Sequence, residues 1–256
     1  MFFNIIINFI FRLVIRFKKK IIIKKLSKKN FQKIYNGEYK NVYFSTKGFY
    51  RGDLPSQLLG IYEEQITKKI LEIDKINKNK YLINFGSGDG YHVLGLIKKN
   101  IFKKAFCFEI NTKTRKRLLS NIKKNNLSSK INVFGKASFD DVMNLISFKD
   151  LKKSLFLVDI EGEEFNLFTK KNLNFFKNSH LIIENHEKMM KNKKKLVTKF
   201  FKIMRQNFNS EIINHSSKNP FEIKTIKNFS EDLKWLSMSE SRPFNQNWLI
   251  FYPKKN

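Results

Sequence analysis

Cysteine is nearly absent from this chain. Its 256 residues include one, Cys107, so no internal disulfide can form and a reducing compartment is expected. Cys107 sits within an apolar run and reads as core rather than nucleophile. No Cys/His metal spacing occurs, no Gly-x-Ser-x-Gly elbow and no Walker loop, which removes zinc fingers, serine hydrolases and P-loop enzymes. Arginine is scarce as well: only seven of the 51 basic residues are Arg, against 22 acidic ones and a formal net charge of +29. Such a charge invites a nucleic-acid partner. However, Arg is the residue suited to bidentate phosphate recognition, and its scarcity argues against one. The excess of Lys, Asn, Ile and Phe matches A/T-rich coding, with the charge spread over solvated faces.

The length fits one domain plus attachments, with enough chain to bury a sizeable core. We expect a basic amphipathic segment over 1–30, a helical extension over 31–79 and a main domain over 80–256. From Met1 to Lys20 the chain is apolar except at Asn4, Asn8, Arg12 and Arg16, followed by Lys18, Lys19 and Lys20. Polar groups every four residues trace one stripe on a helix and leave a broad apolar face. About 20 uncharged apolar residues are needed to span a bilayer, and Arg12 and Arg16 interrupt the segment well before that. With neither a basic start nor a small-residue cleavage site, it does not read as a signal peptide either. Two readings stay open: peripheral contact of residues 1–25 with anionic lipid, or packing on protein. The expected location is the cytoplasm, including the inner face of its membrane.

After a turn-rich aromatic stretch at 47–56, Ser56 is expected to cap a helix carrying Leu58, Leu59, Ile61, Tyr62, Ile66 and Ile70. Strand and helix patterns then alternate: strands over 81–85, 104–109, 130–135, 154–159 and 179–184, helices over 90–99, 112–125, 139–148, 163–171 and 187–207. Alternation of this kind predicts βαβ units and a doubly wound, mostly parallel sheet. Strand-like residues 211–213 and 247–252, around a short helix near 230–237, predict a terminal antiparallel hairpin. The Lys-rich run 188–199 reads as a solvated helix face, with Met189, Met190, Leu196, Val197 and Phe200 on its inner side.

The first strand runs into Asn84-Phe85-Gly86-Ser87-Gly88-Asp89-Gly90-Tyr91, a Gly-rich turn opening a helix. Glycines there permit a tight turn and close backbone approach. Glu109 lies 19 residues past Gly90, at the expected end of the second strand, where a carboxylate can take both hydroxyls of a ribose. Together these predict an adenosine-containing cofactor. The third glycine comes one residue too early for a dinucleotide fingerprint, and Tyr91 stands where that pattern needs glycine. Asp89 is wrong for a pyrophosphate but suits the ammonium of a methionine moiety, so the pattern favours S-adenosylmethionine. A terminal antiparallel hairpin is also what a methyltransferase sheet adds to a dinucleotide fold.

A second signal is Val158-Asp159-Ile160-Glu161-Gly162-Glu163-Glu164, where an apolar strand ends in a carboxylate at the sheet's ligand-binding edge. The next strand ends in Glu184-Asn185-His186. Asp159, Glu161, Glu184 and His186 are therefore the candidate catalytic groups. His186 could serve as a general base with a pKa near neutrality. No residue is assigned as a metal ligand, yet the carboxylates with His186 would also suit a divalent cation such as Mg²⁺. The bland alternative is that Glu161, Glu163 and Glu164 only favour a helix N-terminus.

At these residues the chain resembles the FkbM-type family of S-adenosylmethionine-dependent methyltransferases. The likeness runs over about 45–253 and rests on the two motifs above, on Phe108-Glu109-Ile110-Asn111 with Asn121, on Ile182-Ile183-Glu184-Asn185-His186, and on Glu240-Ser241-Arg242-Pro243 with the strand from Trp248. It implies a class I methyltransferase (Rossmann-like) fold and O-methylation of a sugar, surface glycan or related small metabolite. Asn84, Gly86, Ser87, Gly88, Asp89, Gly90, Tyr91, Glu109 and Ile110 become expected cofactor contacts, joined by Asp159 and by Ala137 and Ser138 beside the adenine. An RNA methyltransferase is the alternative. Amino-group methylation of bases, however, goes with an Asn/Asp-Pro-Pro-aromatic segment, and this chain has Asp159-Ile160-Glu161-Gly162 there. A membrane-associated scaffold with a vestigial cofactor pocket is a further alternative, and an NAD-dependent oxidoreductase fits the glycine spacing poorly.

Overall fold

In a computed structural model, residues 2–29, 32–45, 52–216, 218–242 and 246–254 are described. The aromatic turn at 47–51 and Pro243 lie outside these residues. In chain order the helices are α1 (Phe2–Lys29), α2 (Leu54–Leu59), α3 (Glu64–Asn77), α4 (Tyr91–Lys98), α5 (Thr112–Lys124), α6 (Phe139–Met143), α7 (Phe148–Leu151), α8 (Glu164–Leu167), α9 (Leu173–Phe176), α10 (Lys194–Asn207) and α11 (Glu231–Met238). The strands are β1 (Tyr81–Phe85), β2 (Lys104–Phe108), β3 (Ile131–Phe134), β4 (Ser154–Val158), β5 (His180–Glu184), β6 (Phe208–Asn214) and β7 (Asn247–Pro253). Two compact units result, one from Met1–Glu64 with Ser216–Phe244, the other from Gln65–His215 with Asn245–Asn256.

The second unit carries all seven strands, in the order β3-β2-β1-β4-β5-β7-β6. Pairing is parallel from β3 to β5, and β7 runs antiparallel between β5 and β6. The expected terminal pair is present, although its strands are separated by the whole 216–244 insertion. β4 and β5 are buried along their full length, which is why they read as unbroken apolar runs. Phenylalanine fills the core. Phe139 packs edge-on to Phe85 at 5.7 Å and to Phe168 at 5.6 Å, and stacks on Phe176 at 5.7 Å. α10 buries Val197, Phe200 and Met204 against this core, and buries Ile203 as well. The helix expected over 187–207 begins only at Lys194, and Met189 is exposed rather than inward.

In the first unit the apolar residues of α1 are buried at Ile22 and Leu26, and α1 packs on α2 and α11. Lys19 is fully buried, its Nζ donating to Gly52 O at 2.5 Å, Ser239 O at 2.8 Å and Ser241 Oγ at 2.6 Å. Glu240 accepts from Lys218 Nζ (3.0 Å) and Arg242 Nε (3.1 Å), and Arg242 also pairs with Glu63. The single helix expected from Ser56 is two. Gly60 closes α2 in the left-handed region at φ +76°, a conformation that disfavours any other residue, and α3 starts afresh. Asp53, not Ser56, stands at the N-cap of α2, and Ser56 Oγ donates to its carbonyl at 2.7 Å. Among the described residues no helix is long and apolar enough to cross a membrane.

Candidate functional site

The register of the parallel strands builds the site. Phe85 of β1 is level with Phe108 of β2 and Val158 of β4, and Val158 with Ile183 of β5. The residues just beyond each strand therefore share one edge: Gly86, Glu109, Asp159 and, ending β5, Glu184. The chain turns there by specific hydrogen bonds. Gly86 N and Ser87 N both donate to Phe108 O, at 2.9 and 3.0 Å, and Asp159 N donates to Phe85 O at 2.9 Å. Gly86 adopts φ +80°, and a Cβ on it would collide with the Asp159 carbonyl oxygen. The glycine-rich loop and the Asp159 turn are thus packed backbone to backbone. A Cβ at Gly90 would meet Leu118 and Leu94, so this glycine too answers to the packing of the chain on itself.

Glu109 fastens the loop. Its Oε2 accepts from Gly88 N at 3.0 Å and its Oε1 from Asn111 N at 2.7 Å. Asn84 donates to Leu157 O at 3.0 Å, tying β1 to β4, and Ser87 Oγ donates to Asn84 O at 2.9 Å. Asp89, read from the sequence as a partner for an ammonium, has Oδ1 engaged by Arg117 Nε and Nη2, both at 3.2 Å, while Asn121 Nδ2 holds its carbonyl at 3.0 Å. Those bonds pin the loop to α5. Tyr91 is buried at the start of α4, edge-on to His92. Ile110 is 72% exposed beside Glu109. Ala137 and Ser138 follow β3, and Ser138 caps α6 by accepting from Asp141 N at 3.3 Å.

Beside this loop lies an acid–histidine cluster. His186 is fully buried, with Nδ1 at 3.1 Å from Glu164 Oε1. Its Nε2 faces Glu184 Oε2 at 3.3 Å, Asp159 Oδ1 at 3.6 Å and Glu161 Oε2 at 3.6 Å, and makes no aligned hydrogen bond among the described residues. Burial pushes the imidazole pKa down, but Glu164 and Glu184, with the charge of Asp159, outweigh it and hold it at about 10. The expected pKa near neutrality is therefore corrected: a histidine ringed by carboxylates keeps its proton.

Glu164 was not singled out by the sequence. It is 1% exposed, and its Oε2 also accepts from Gly162 N at 2.9 Å. Lying at the last acidic position of the Asp-Ile-Glu-Gly-x-Glu segment, it resembles a helix-start carboxylate, which hides its contact with a strand end 22 residues on. Glu161 and Gly162 both take left-handed conformations, φ +54° and +98°, so the turn after β4 is sharper than one glycine supplies. One ligand atom each from Asp159, Glu184 and His186 lie within 4.8 Å of one another, a spacing that fits a single divalent cation.

No protein-family model and no curated protein sequence matches the chain. Solved structures do. The O-methyltransferase TomG of Streptomyces achromogenes, solved with S-adenosylmethionine and involved in tomaymycin synthesis, is 9% identical with TM-score 0.51, over 75% of this chain and 81% of its own. A candidate O-methyltransferase of Klebsiella pneumoniae is 7% identical with TM-score 0.50, over 91% and 90%. The Bacillus subtilis tRNA methyltransferase TrmK is 10% identical with TM-score 0.46, over 73% and 66%. At identities this low the likeness is one of architecture, and together with the strand order it establishes a class I methyltransferase, Rossmann-like fold.

Proposed function

We propose that the chain is an S-adenosylmethionine-dependent O-methyltransferase of FkbM-type character, acting on a hydroxyl of a sugar, surface glycan or related small metabolite. One observation carries this reading: the backbone of the glycine loop abuts Asp159, so the cofactor cradle and the acid–histidine cluster occupy adjoining parts of one sheet edge. Glu109, held by two backbone amides, has lone pairs left for ribose hydroxyls. Ile110, Ala137 and Ser138 line the ends of β2 and β3, where the adenine would lie. When bound, the cofactor supplies a methyl group already activated on a sulfonium. What remains for the protein is alignment of acceptor oxygen and methyl carbon.

Asp159, Glu184 and His186 would hold a divalent cation, which would lower the pKa of an acceptor hydroxyl bound to it. The fit rests on His186: Nδ1 is tied to a buried carboxylate while Nε2 points into the cluster without an aligned partner, as in carboxylate–histidine–metal arrangements, and the cation would displace the Nε2 proton that the surrounding carboxylates otherwise hold. A mixed imidazole and carboxylate donor set suits Mn²⁺ at least as well as Mg²⁺. The acceptor oxygen would be placed by Asp159, the member of the cluster nearest the loop.

Turnover tests the proposal. Release of S-adenosylhomocysteine from S-adenosylmethionine and a panel of sugars should be abolished in Asp159→Asn, with melting temperature unchanged. Chelation should stop the wild-type reaction, and added Mn²⁺ should restore it. A well-folded, fully active Asp159→Asn would place the chemistry elsewhere, and turnover indifferent to chelation would remove the cation.

A further inference from the structure

Between Ile7 and Phe17, in the first half of α1, the described apolar side chains are exposed over most of the circumference. Ile7, Phe9, Ile10, Phe11, Leu13 and Phe17 are 46–65% exposed. At about 100° per residue they cover an arc of about 200°, with Arg12 and Arg16 in the remaining sector. Soluble surfaces rarely carry so continuous an apolar band. From Lys19 onward the same helix turns its apolar residues inward, at Ile22 and Leu26.

We infer that this half of α1 is a docking element for an anionic lipid surface. A partner helix would use a narrow seam, about two positions in seven, and would leave most of the arc uncovered. An interfacial helix needs a wide apolar face with cations at its border, and both arginines, with exposed Lys20 and Lys24 beyond them, supply that charge. The apolar stretch is too short, and too interrupted by charge, to span a bilayer.

A second element of the same unit continues the surface. α11 lies against α1 where the exposed half ends: Asp232 Oδ2 is 3.4 Å from Lys18 Nζ, and Ser239 O accepts from Lys19. Between those two contacts in sequence, Trp235 is 52% exposed and meets Phe221, itself 54% exposed, edge-on at 6.2 Å. Lys234 Nζ stands 4.8 Å from the Phe221 ring centre. An exposed Trp beside a cation, at the root of an apolar helix, suits the boundary between headgroups and water.

Trp235 makes the test direct, because the chain's other tryptophan, Trp248, is 3% exposed in β7 and should stay silent. The full chain is mixed with vesicles of phosphatidylcholine alone or with phosphatidylglycerol added. We expect co-sedimentation with the anionic vesicles, and a blue shift of tryptophan emission that Trp235→Phe abolishes. Arg12→Gln/Arg16→Gln should lower affinity about 30-fold, and Phe9→Asp/Phe17→Asp should remove binding, each with an unchanged circular dichroism spectrum. Equal binding to both vesicle types, or none, overturns the inference. So does a concentration-dependent dimer that Phe9→Asp/Phe17→Asp dissociates while vesicles are ignored, since the face would then be a protein interface.

Discussion

Glu109 fastens the chain, and under the proposed function the same side chain would also take the ribose. Its two oxygens already hold Gly88 N and Asn111 N, so the loop is shaped before any nucleoside arrives. Replacing it by Ala removes a charge-assisted contact worth about 1.5–3 kcal/mol. We therefore expect S-adenosylhomocysteine affinity to fall roughly 10- to 150-fold by calorimetry; an unchanged affinity would refute the ribose role. Glu109 was legible in the sequence because its place is fixed by strand spacing. Glu164 and Arg117 were not, because their partners, His186 and Asp89, lie 22 and 28 residues away and meet them only in the fold. The titration of His186 was hidden for the same reason: a histidine's pKa follows from the carboxylates the fold gathers around it, here enough to raise it to about 10.

Among the elements, the strands were read most accurately, since β1, β4 and β5 are buried on both faces and declare themselves as apolar runs with sharp ends. Helices were read less well where a short break intervenes. The helix expected over 139–148 is α6 and α7, the second capped by Ser147, whose Oγ accepts from Asp150 N at 3.2 Å. Likewise Gly60 divides 54–77 by a left-handed turn that periodicity does not register. The joint between β1 and β4 is the element on which the site depends. Gly86→Ala would add a Cβ against the Asp159 carbonyl at φ +80°. Left-handed strain of about 1–2 kcal/mol and overpacking of about 1–3 kcal/mol should together lower the urea midpoint clearly. A midpoint equal to wild type would mean that loop and Asp159 turn are not in contact.

At the scale of the whole molecule, a mostly parallel sheet closed by an antiparallel strand followed from alternation and the closing strand patterns, and the structure adds its order, β3-β2-β1-β4-β5-β7-β6. The chain's division did not. Residues 216–244 join 1–64 in one unit through contacts such as Lys19 with Ser239 and Arg242 with Glu63, and nothing local in either segment announces a partner so distant in sequence. The net charge of +29 is carried mostly by Lys, while the sheet edge assigned to chemistry gathers Asp159, Glu161, Glu164 and Glu184. Under the proposed function a polyanion would be repelled at that edge, which favours a small hydroxylated acceptor over RNA. The proposed function requires that the glycine loop and Glu109 receive an adenosine thioether, and calorimetric titration of the full chain with S-adenosylhomocysteine measures that directly. The expectation is saturable heat with one ligand per chain, weakened in Glu109→Ala. No heat at millimolar ligand would contradict it and leave a methyltransferase fold without its cofactor.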